Sequence, residues 1–359
     1  MELGFFTMPL HPPGQNYTKT INDDLAQLVE LDALGYREAW VGEHFTAMWE
    51  NIPSPDLLIA SAIPQTKNII FGTGVTCMPN HNPFTLAHRI AQLDHMARGR
   101  FHWGIGSGGW PGDFEVFGID PASGDQRKLT RDAVDLILKI WEDPTPGIYE
   151  SKHWRFTIPK PNKHGLRVHL KPYQKPHPPI AVAGVSAKSD TLVQAGERGW
   201  MPMSVNLLPT RILKSHWNAV EEGARRSSRT PDRSKWRIAR NIYIADTTNQ
   251  ARKEALEGVI RRDFQKYFLP LLSDLKMLDL FKKDLEMHDS DVTPEYMVDN
   301  IWIVGSPDDV AEKLRQLYHD VGGFGVILAM GNEWDPREQW INSMTLLAKE
   351  VMPRLSDLT

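Results

Sequence analysis

Short apolar runs alternate with amphipathic stretches along almost the whole chain. Eight runs have the length and the branched or aromatic composition of strands: LGFFTM (3–8), EAWVGEHF (38–45), IIFGTGVTCM (69–78), FHWGIGSG (101–108), PIAVAG (179–184), GWMPMSV (199–205), RIARNIYIA (237–245) and FGVILAM (324–330). Between them apolar residues recur at spacings of three and four, which is typical of helices that pack by one face. Strands alternating with helices predict a parallel sheet built from βα units.

This repeat predicts an α/β fold. Eight strands with intervening helices in 359 residues indicate a (β/α)8 TIM barrel with insertions, formed as a single domain over residues 1–359. An open doubly wound sheet is the alternative, because periodicity alone does not separate the two. The proline-rich residues 144–178 predict a hairpin-like insertion. Residues 251–300 (the added segment) predict extra helices after the seventh strand, either a lid over the catalytic face or an ordinary packed hairpin.

Composition and charge exclude several classes of function. The net charge is −4 and the chain has no long Lys/Arg block, which argues against binding nucleic acid or an anionic membrane surface. The one cysteine, Cys77, excludes an intrachain disulfide and a cysteine-rich zinc site, and it suits a reducing compartment, so a cytoplasmic location is predicted. The N-terminal stretch lacks the basic region of a signal peptide, and no apolar run approaches the roughly 20 residues of a membrane span.

The C-terminal ends of the predicted strands carry the candidate chemistry, since these ends surround the active site of a barrel. Aromatic and thioether side chains predominate there, which suits an apolar ligand and a flat cofactor better than a sugar, although each could also be barrel filling. The predicted substrate pocket comprises Met8, Trp49, Met78, Trp110, Met203 and Met330. His44 is a titratable group at the end of the second predicted strand and could equally be a satisfied core or surface histidine, and the neighbouring Glu43 could tune its imidazole or simply form a salt bridge.

Two small-residue stretches are candidate cofactor sites. GIGSGG (104–109) matches G-x-G-x-x-G in letters, but no helix is predicted directly after it, so we reject a dinucleotide fingerprint. AGVSAKS (183–189) runs from a strand into a helix predicted to begin near Ala187. Its backbone N–H groups, the Ser186 and Ser189 hydroxyls and Lys188 could hold one phosphate, and a plain serine N-cap is the alternative. No hydrolase or metal-binding motif is present, so no metal is predicted.

Over nearly its whole length the chain resembles the bacterial luciferase-like family of flavin-dependent monooxygenases, and most closely the limonene and diketocamphane monooxygenase types. The resemblance rests on LGFFTMP, EAWVGEHF, GTGVTCMPNHNP, LAHRIAQLDHMARGRFHWGIGSG and AGVSAKSDTLVQAGERGW. It implies a TIM-barrel oxidoreductase that uses reduced flavin mononucleotide (FMNH2) from a separate flavin reductase, and O2 as co-substrate. One oxygen atom would enter a small apolar substrate, such as a terpenoid, a ketone or an alkane-like compound, through a C4a-peroxyflavin. A homodimer is also expected.

The resemblance also implies roles for individual residues. His44 would be the catalytic acid or base. Gly74-Val75 would form a strand bulge, often a non-prolyl cis peptide, behind the flavin ring, with Gly106 and Ser107 beside it. The implied cofactor-binding residues are Phe6, Gly74, Val75, Thr76, Gly106, Ser107, Arg127, Gly184, Val185, Ser186 and Ser189. Luciferase itself has cysteine and arginine where this chain has Gly106 and Ser107, so light emission is not expected, and Arg127 or Lys188 would supply the missing phosphate charge.

Two other functions stay open at this point. An F420-dependent oxidoreductase that transfers hydride would share the barrel and many of the same sequence blocks. A non-catalytic flavin-binding protein would share them too, but it would not depend on His44.

Overall fold

The computed structural model describes residues 1–187 and 189–358. Over these residues the strands are β1 (Glu2–Thr7), β2 (Glu38–Val41), β3 (Ile70–Thr73), β4 (Thr76–Cys77), β5 (Phe101–Gly106), β6 (Gly147–Glu150), β7 (Arg155–Ile158), β8 (Ile180–Gly184), β9 (Met201–Ser204), β10 (Arg237–Arg240), β11 (Ile242–Ile244), β12 (Ile303–Gly305) and β13 (Val326–Met330). The helices are α1 (Tyr17–Leu34), α2 (Pro55–Ala62), α3 (Pro83–Ala97), α4 (Pro111–Val116), α5 (Asp125–Glu142), α6 (Asp190–Arg198), α7 (Thr210–Arg226), α8 (Thr248–Glu257), α9 (Val259–Asp263), α10 (Leu269–Asp274), α11 (Pro294–Asn300), α12 (Pro307–Val321) and α13 (Arg337–Leu346).

Eight parallel strands close into a barrel in the order β1, β2, β3, β5, β8, β9, β10 and β13. The closing pair is β13 with β1, in which Met330 lies opposite Phe6. Short β4 continues the line of β3 and pairs with β5. The predicted (β/α)8 barrel is therefore confirmed, and the open sheet is excluded because an open sheet has no such closing pair.

The barrel interior has a polar end and an apolar end. Glu38 and Trp40 of β2 point inward, whereas Ala39 and Val41 pack in the shell between strands and helices. Alternate residues of EAWVGEHF therefore face the barrel interior and the surrounding shell. The indole of Trp40 fits because glycines face it: a β-carbon on Gly72 would lie 2.3 Å from the indole Cε3 atom.

Several predicted boundaries shift, and the reasons are local. Strand β2 ends at Val41 rather than residue 45, and a β-carbon on the next residue, Gly42, would lie 1.8 Å from Met8 Sδ. The run 69–78 divides into β3 and β4 around Gly74-Val75, whose peptide bond is cis. Helix α6 begins at Asp190 rather than near Ala187, because the Ser189 hydroxyl caps it by accepting from Leu192 N.

The two irregular stretches contain regular structure of their own. Within residues 144–178, β6 and β7 form an antiparallel hairpin. The added segment contains most of α8 and all of α9, α10 and α11, and a π-helical turn, Phe264–Phe268, joins α9 to α10. This segment packs on a second apolar cluster around Phe264 and Trp302. Of the helices formed by residues 1–187 and 189–358, none combines the length and the apolar character that crossing a bilayer requires.

Candidate active site

His44 follows β2 at the C-terminal end of the barrel, and its imidazole lies between two carboxylates. Its Nδ1 is 3.4 Å from Asp113 Oδ2, and its Nε2 is 3.2 Å from Glu50 Oε2. The ring also packs on Trp110, with 5.0 Å between the ring centroids. Glu50 Oε2 accepts no hydrogen bond from the residues that the structure describes. The contact with Glu50 is therefore an ion pair rather than a hydrogen bond, and the Nε2–H group remains able to donate to another atom.

The surroundings favour the protonated form of His44. Burial, the largest single influence, lowers the pKa of His44, but the charges of Glu50 and Asp113 together outweigh it, so the pKa is raised above its usual value. Burial also raises the pKa of Glu50. For Asp113, bonds from His44, Thr46 and Phe45 outweigh the effect of burial, and the pKa is lowered. Asp113 is thus the fixed anion of the set, and His44 can hold or release a proton near neutral pH.

Asp113 reaches this position because α4 begins shortly after GIGSGG, where the sequence predicted no helix. Its Oδ1 accepts from Thr46 N at 2.9 Å and from Thr46 Oγ1 at 2.6 Å. Gly112 permits this close approach, since a β-carbon there would lie 2.4 Å from Thr46 Oγ1. Sequence reasoning missed Asp113, and the signal that could have revealed it is an acidic residue just after Trp-Pro-Gly at a strand end.

Glu43 does not contact His44 as the sequence suggested. Its carboxylate lies 2.9 Å from His81 Nε2 and accepts from Cys77 N at 3.3 Å. Successive side chains of an extended chain point to opposite sides, so neighbours in sequence such as Glu43 and His44 diverge. Glu43 acts on His44 only as a minor, more distant charge.

The added segment contributes one aromatic residue to this end of the barrel. The Tyr267 hydroxyl donates to Glu50 Oε1 at 2.8 Å. Its ring stacks on Trp49, with centroids 5.4 Å apart and planes inclined by 20°, and lies 6.2 Å from Trp110. Neither Glu50 nor Tyr267 was identified from the sequence. Together with His44 and Asp113 they form a continuous polar chain with an aromatic cover.

The predicted pocket residues fall into three groups. Met203 and Met330 belong with Phe6 to the cluster inside the barrel, and Met8 packs against it. Trp49 and Trp110 lie beside Tyr267. Met78 does not line the predicted pocket. It begins a 3-10 turn, has no exposed surface and packs in the shell between strands and helices.

The residues expected around the flavin ring converge at β3, β4 and β5. The register pairs Thr76 with Ile105 and Cys77 with Gly106. A β-carbon on Gly106 would lie 2.4 Å from Val75 Cγ2, and one on Gly74 would lie 2.8 Å from Phe6 Cε2. The Ser107 hydroxyl lies 2.9 Å from Thr130 Oγ1 on α5. The glycines therefore bring backbone against neighbouring side chains where a β-carbon would not fit.

The serine loop from Gly184 to Ser189 follows β8. Val185 and Ser186 are exposed, and Ser189 is buried at the start of α6. Arg127 Nη1 lies 3.3 Å from Asp190 Oδ2, which brings this cation next to the loop. Lys188 lies outside the described residues.

Helix α7 anchors this loop through a residue that the sequence did not reveal. His216 Nε2 donates to Ser186 O at 3.0 Å, and its Nδ1 lies 2.9 Å from Ser204 Oγ. Ser215 Oγ donates to Ala187 O at 2.8 Å. Burial lowers the pKa of His216 to about 4, so the ring is neutral and keeps one donor and one acceptor.

The chain is similar to known proteins over most of its length. The profile of the Luciferase-like monooxygenase family matches residues 1–324. The chain is 33% identical to 3,6-diketocamphane 1,6-monooxygenase of Pseudomonas putida over 99% of this chain and 98% of that protein. It is 28% identical to limonene 1,2-monooxygenase of Rhodococcus erythropolis over 99% of this chain and 87% of that protein.

Among solved structures, the oxygenating constituent of 3,6-diketocamphane monooxygenase from the CAM plasmid of Pseudomonas putida, a type II Baeyer-Villiger monooxygenase in complex with FMN, superposes with a TM-score of 0.92. That chain is 34% identical in sequence, and the match covers 98% of both chains. The protein therefore belongs to the luciferase-like family of flavin monooxygenases and is an oxidoreductase.

Proposed function

We propose that this protein is the oxygenating component of a two-component monooxygenase. It takes reduced FMN from a separate flavin reductase and inserts one atom of O2 into a small apolar substrate, such as a terpenoid, a ketone or an alkane-like compound. The observation that carries the proposal is His44, set between Glu50 and Asp113 at the same end of the barrel as the glycine-lined end of β5. The diketocamphane and limonene enzymes, by their names, oxygenate compounds of this class.

The described residues fit a flavin mononucleotide. The residues that the resemblance assigns to the flavin ring converge at one end of the barrel, where Gly74 packs against Phe6 and Gly106 against Val75. Residues 185–187 are exposed and lead into α6, and the start of a helix favours a phosphate. Arg127 is exposed beside it and adds positive charge. Reduced flavin supplies the electrons that activate O2 when it is bound there.

The other residues at this end of the barrel exclude water from the site and provide a proton donor. Met8, Met203 and Met330 form an apolar surface inside the barrel, and Trp49 with Tyr267 covers the polar chain at its mouth. Exclusion of water protects reactive intermediates from side reactions with solvent. His44 holds a proton on Nε2 that it can donate to a reacting oxygen, or it leaves that oxygen anionic when it is neutral. Asp113 keeps the ring oriented through Nδ1.

The experiment that tests this function follows labelled oxygen. The protein is mixed with FMN, a general flavin reductase, NADH and oxygen-18 O2, and a panel of terpenes and cyclic ketones is screened by mass spectrometry. We expect one labelled oxygen atom per product, and no product when the protein is omitted. Unlabelled product formed with reduced F420 would favour hydride transfer instead, and tight FMN binding without any product would favour a flavin-binding protein.

Replacing His216 with alanine is expected to weaken FMN binding about fivefold, because the serine loop loses the donor that holds Ser186 O. One hydrogen bond is worth about 1 kcal/mol, and about 1.4 kcal/mol is a factor of ten in affinity. Riboflavin has the same ring without the phosphate, so its affinity should change less than about twofold by the same reasoning. Flavin fluorescence quenching measures both constants.

The matched control for this change is His88→Ala, which removes another histidine-to-carbonyl contact, from Nδ1 to Phe84 O at 2.8 Å, away from the loop. This variant should bind both flavins as the wild type does. Equal weakening of FMN and riboflavin in His216→Ala would show that the loop does not serve the phosphate.

A further inference from the structure

We propose that Tyr267 is a positioning residue for His44: its hydroxyl holds Glu50 as an anion, and the anionic Glu50 keeps His44 protonated. The proposal rests on the proposed role of His44. It makes the added segment part of the proton machinery, because Tyr267 belongs to that segment while Glu50 and His44 belong to the loop after β2.

The contacts run in one line. The Tyr267 hydroxyl donates to one carboxylate oxygen of Glu50 at 2.8 Å, and the other oxygen faces His44 Nε2 at 3.2 Å. Glu50 is only 5% exposed, so bulk solvent contributes little to the hydrogen bonds that an anion needs. Among the described side chains, Tyr267 is the one that donates a hydrogen bond to the Glu50 carboxylate.

The π-helical turn Phe264–Phe268 sets the direction of the Tyr267 side chain. Phe264 at its start packs edge-on against Trp302 in the second apolar cluster. Tyr267, near its end, faces the barrel and stacks on Trp49. A single widened turn thus fixes one aromatic ring in the core of the added segment and delivers the other to Glu50. Turns of this kind often occur at functional sites.

A second contact holds the same segment on the barrel just before this turn. Arg262 Nη1 lies 2.6 Å from Glu333 Oε2, beyond the end of β13. Glu333 also accepts from Gln15 Nε2 at 2.7 Å. Arg262 and Tyr267 therefore join the added segment to the barrel at two separate points, and only the Tyr267 contact reaches His44.

The charges around His44 make its protonation depend on Glu50. The groups that face the imidazole are Glu50, Asp113 and, farther away, Glu43. Those that face Glu50 are His44, Tyr267 and Asp113, and of these Asp113 repels it. A buried carboxylate that loses its hydrogen-bond donor takes up a proton from solvent. Once Glu50 is neutral, His44 loses the nearer of its counter-charges and releases its own proton to solvent.

The test is the titration of His44 followed by NMR of full-length protein labelled with nitrogen-15 at histidine, without flavin or substrate. The His44 signals are identified by their absence in His44→Gln. In Tyr267→Phe, which keeps the ring stacked on Trp49, we expect the proton affinity of His44 to fall about tenfold, one unit in the titration midpoint. Glu50→Gln should lower it at least as much, and Tyr267→Phe should add nothing in the Glu50→Gln background.

The control is Tyr243→Phe, which removes another tyrosine–glutamate hydrogen bond of 3.0 Å, to Glu254 Oε2 on α8. It should leave the His44 titration unchanged. The proposal is overturned if Tyr267→Phe leaves the midpoint at its wild-type value, or if the effects of Tyr267→Phe and Glu50→Gln add. The titration of His44 is measured without turnover. A product screen that yields no product would therefore overturn the proposed function but not the titration result, and an unchanged titration midpoint would overturn this proposal but not the proposed function.

Discussion

Substitution of His44 by glutamine is expected to lower the turnover number about 10²- to 10⁴-fold, the usual contribution of a general acid or base. Glutamine can form hydrogen bonds but does not exchange a proton near neutral pH. Its amide can still lie between Glu50 and Asp113, so the surroundings of the site should stay in place. FMN affinity should therefore change little, and product formation by a reductase-coupled assay measures the loss.

The control for this substitution is His81→Gln. His81 is equally enclosed, with 10% of its side chain exposed against 12% for His44, and it also bonds a buried carboxylate, Glu43. The two histidines differ in that only His44 lies between two carboxylates and against Trp110. His81→Gln should keep most of the activity. Comparable losses in the two variants would mean that turnover depends on the integrity of this end of the barrel rather than on a proton at His44.

The sequence predicted the barrel well because its evidence is local. Each strand is a short apolar run flanked by turn-forming residues, and alternation with amphipathic helices leaves few topologies open. The register of the strands could not be predicted from the sequence. That β13 closes on β1, with Met330 opposite Phe6, depends on pairing between the two ends of the chain. The interruption of the third strand at Gly74-Val75 followed from the resemblance rather than from periodicity.

The candidate site was predicted only in part. The residues that were missed are brought to it by tertiary contacts. His44 was found because it stands at a strand end. Its partner Asp113 is 69 residues away along the chain, and Tyr267 is 217 residues from Glu50, so no local pattern links them. The interpretation of Glu43 as the partner of His44 failed for a stereochemical reason, since adjacent residues of an extended chain face opposite sides.

The polar end of the barrel interior was likewise hidden in the sequence. Glu38 and Arg237 are each the first residue of a predicted strand, and such positions are commonly exposed. In the structure they meet inside the barrel, where Glu38 is 1% and Arg237 is 7% exposed. The pair is bidentate, with Arg237 Nη2 at 3.0 Å from Oε2 and Nε at 3.1 Å from Oε1 of Glu38. Trp40 Nε1 donates to the same carboxylate at 2.8 Å.

Replacing Glu38 with alanine is therefore expected to lower the free energy of unfolding by about 3–5 kcal/mol, the usual cost of breaking a buried ion pair. Arg237 would keep its charge inside the barrel without a counter-ion, and the Trp40 N–H group would lose its acceptor. Urea unfolding at pH 7.5 measures the loss. The double variant Glu38→Met/Arg237→Met should lose much less, because it removes both charges and leaves apolar side chains in their place.

The pH dependence gives this prediction a second check. Burial raises the pKa of Glu38, but the charge and hydrogen bonds of Arg237 outweigh it, so the pKa is lowered in the folded protein. A carboxyl group of this kind contributes its stability above its ordinary pKa and loses it as the pH falls through the lowered value. The gap between wild type and Glu38→Ala should thus be constant from pH 6 to 8 and shrink only below about pH 4. Burial lowers the pKa of His102, 4.0 Å from Glu38, to about 4, so this neighbour stays neutral between pH 8 and 6. A gap that already shrinks in that range would therefore contradict the assignment of the loss to the Glu38 carboxylate.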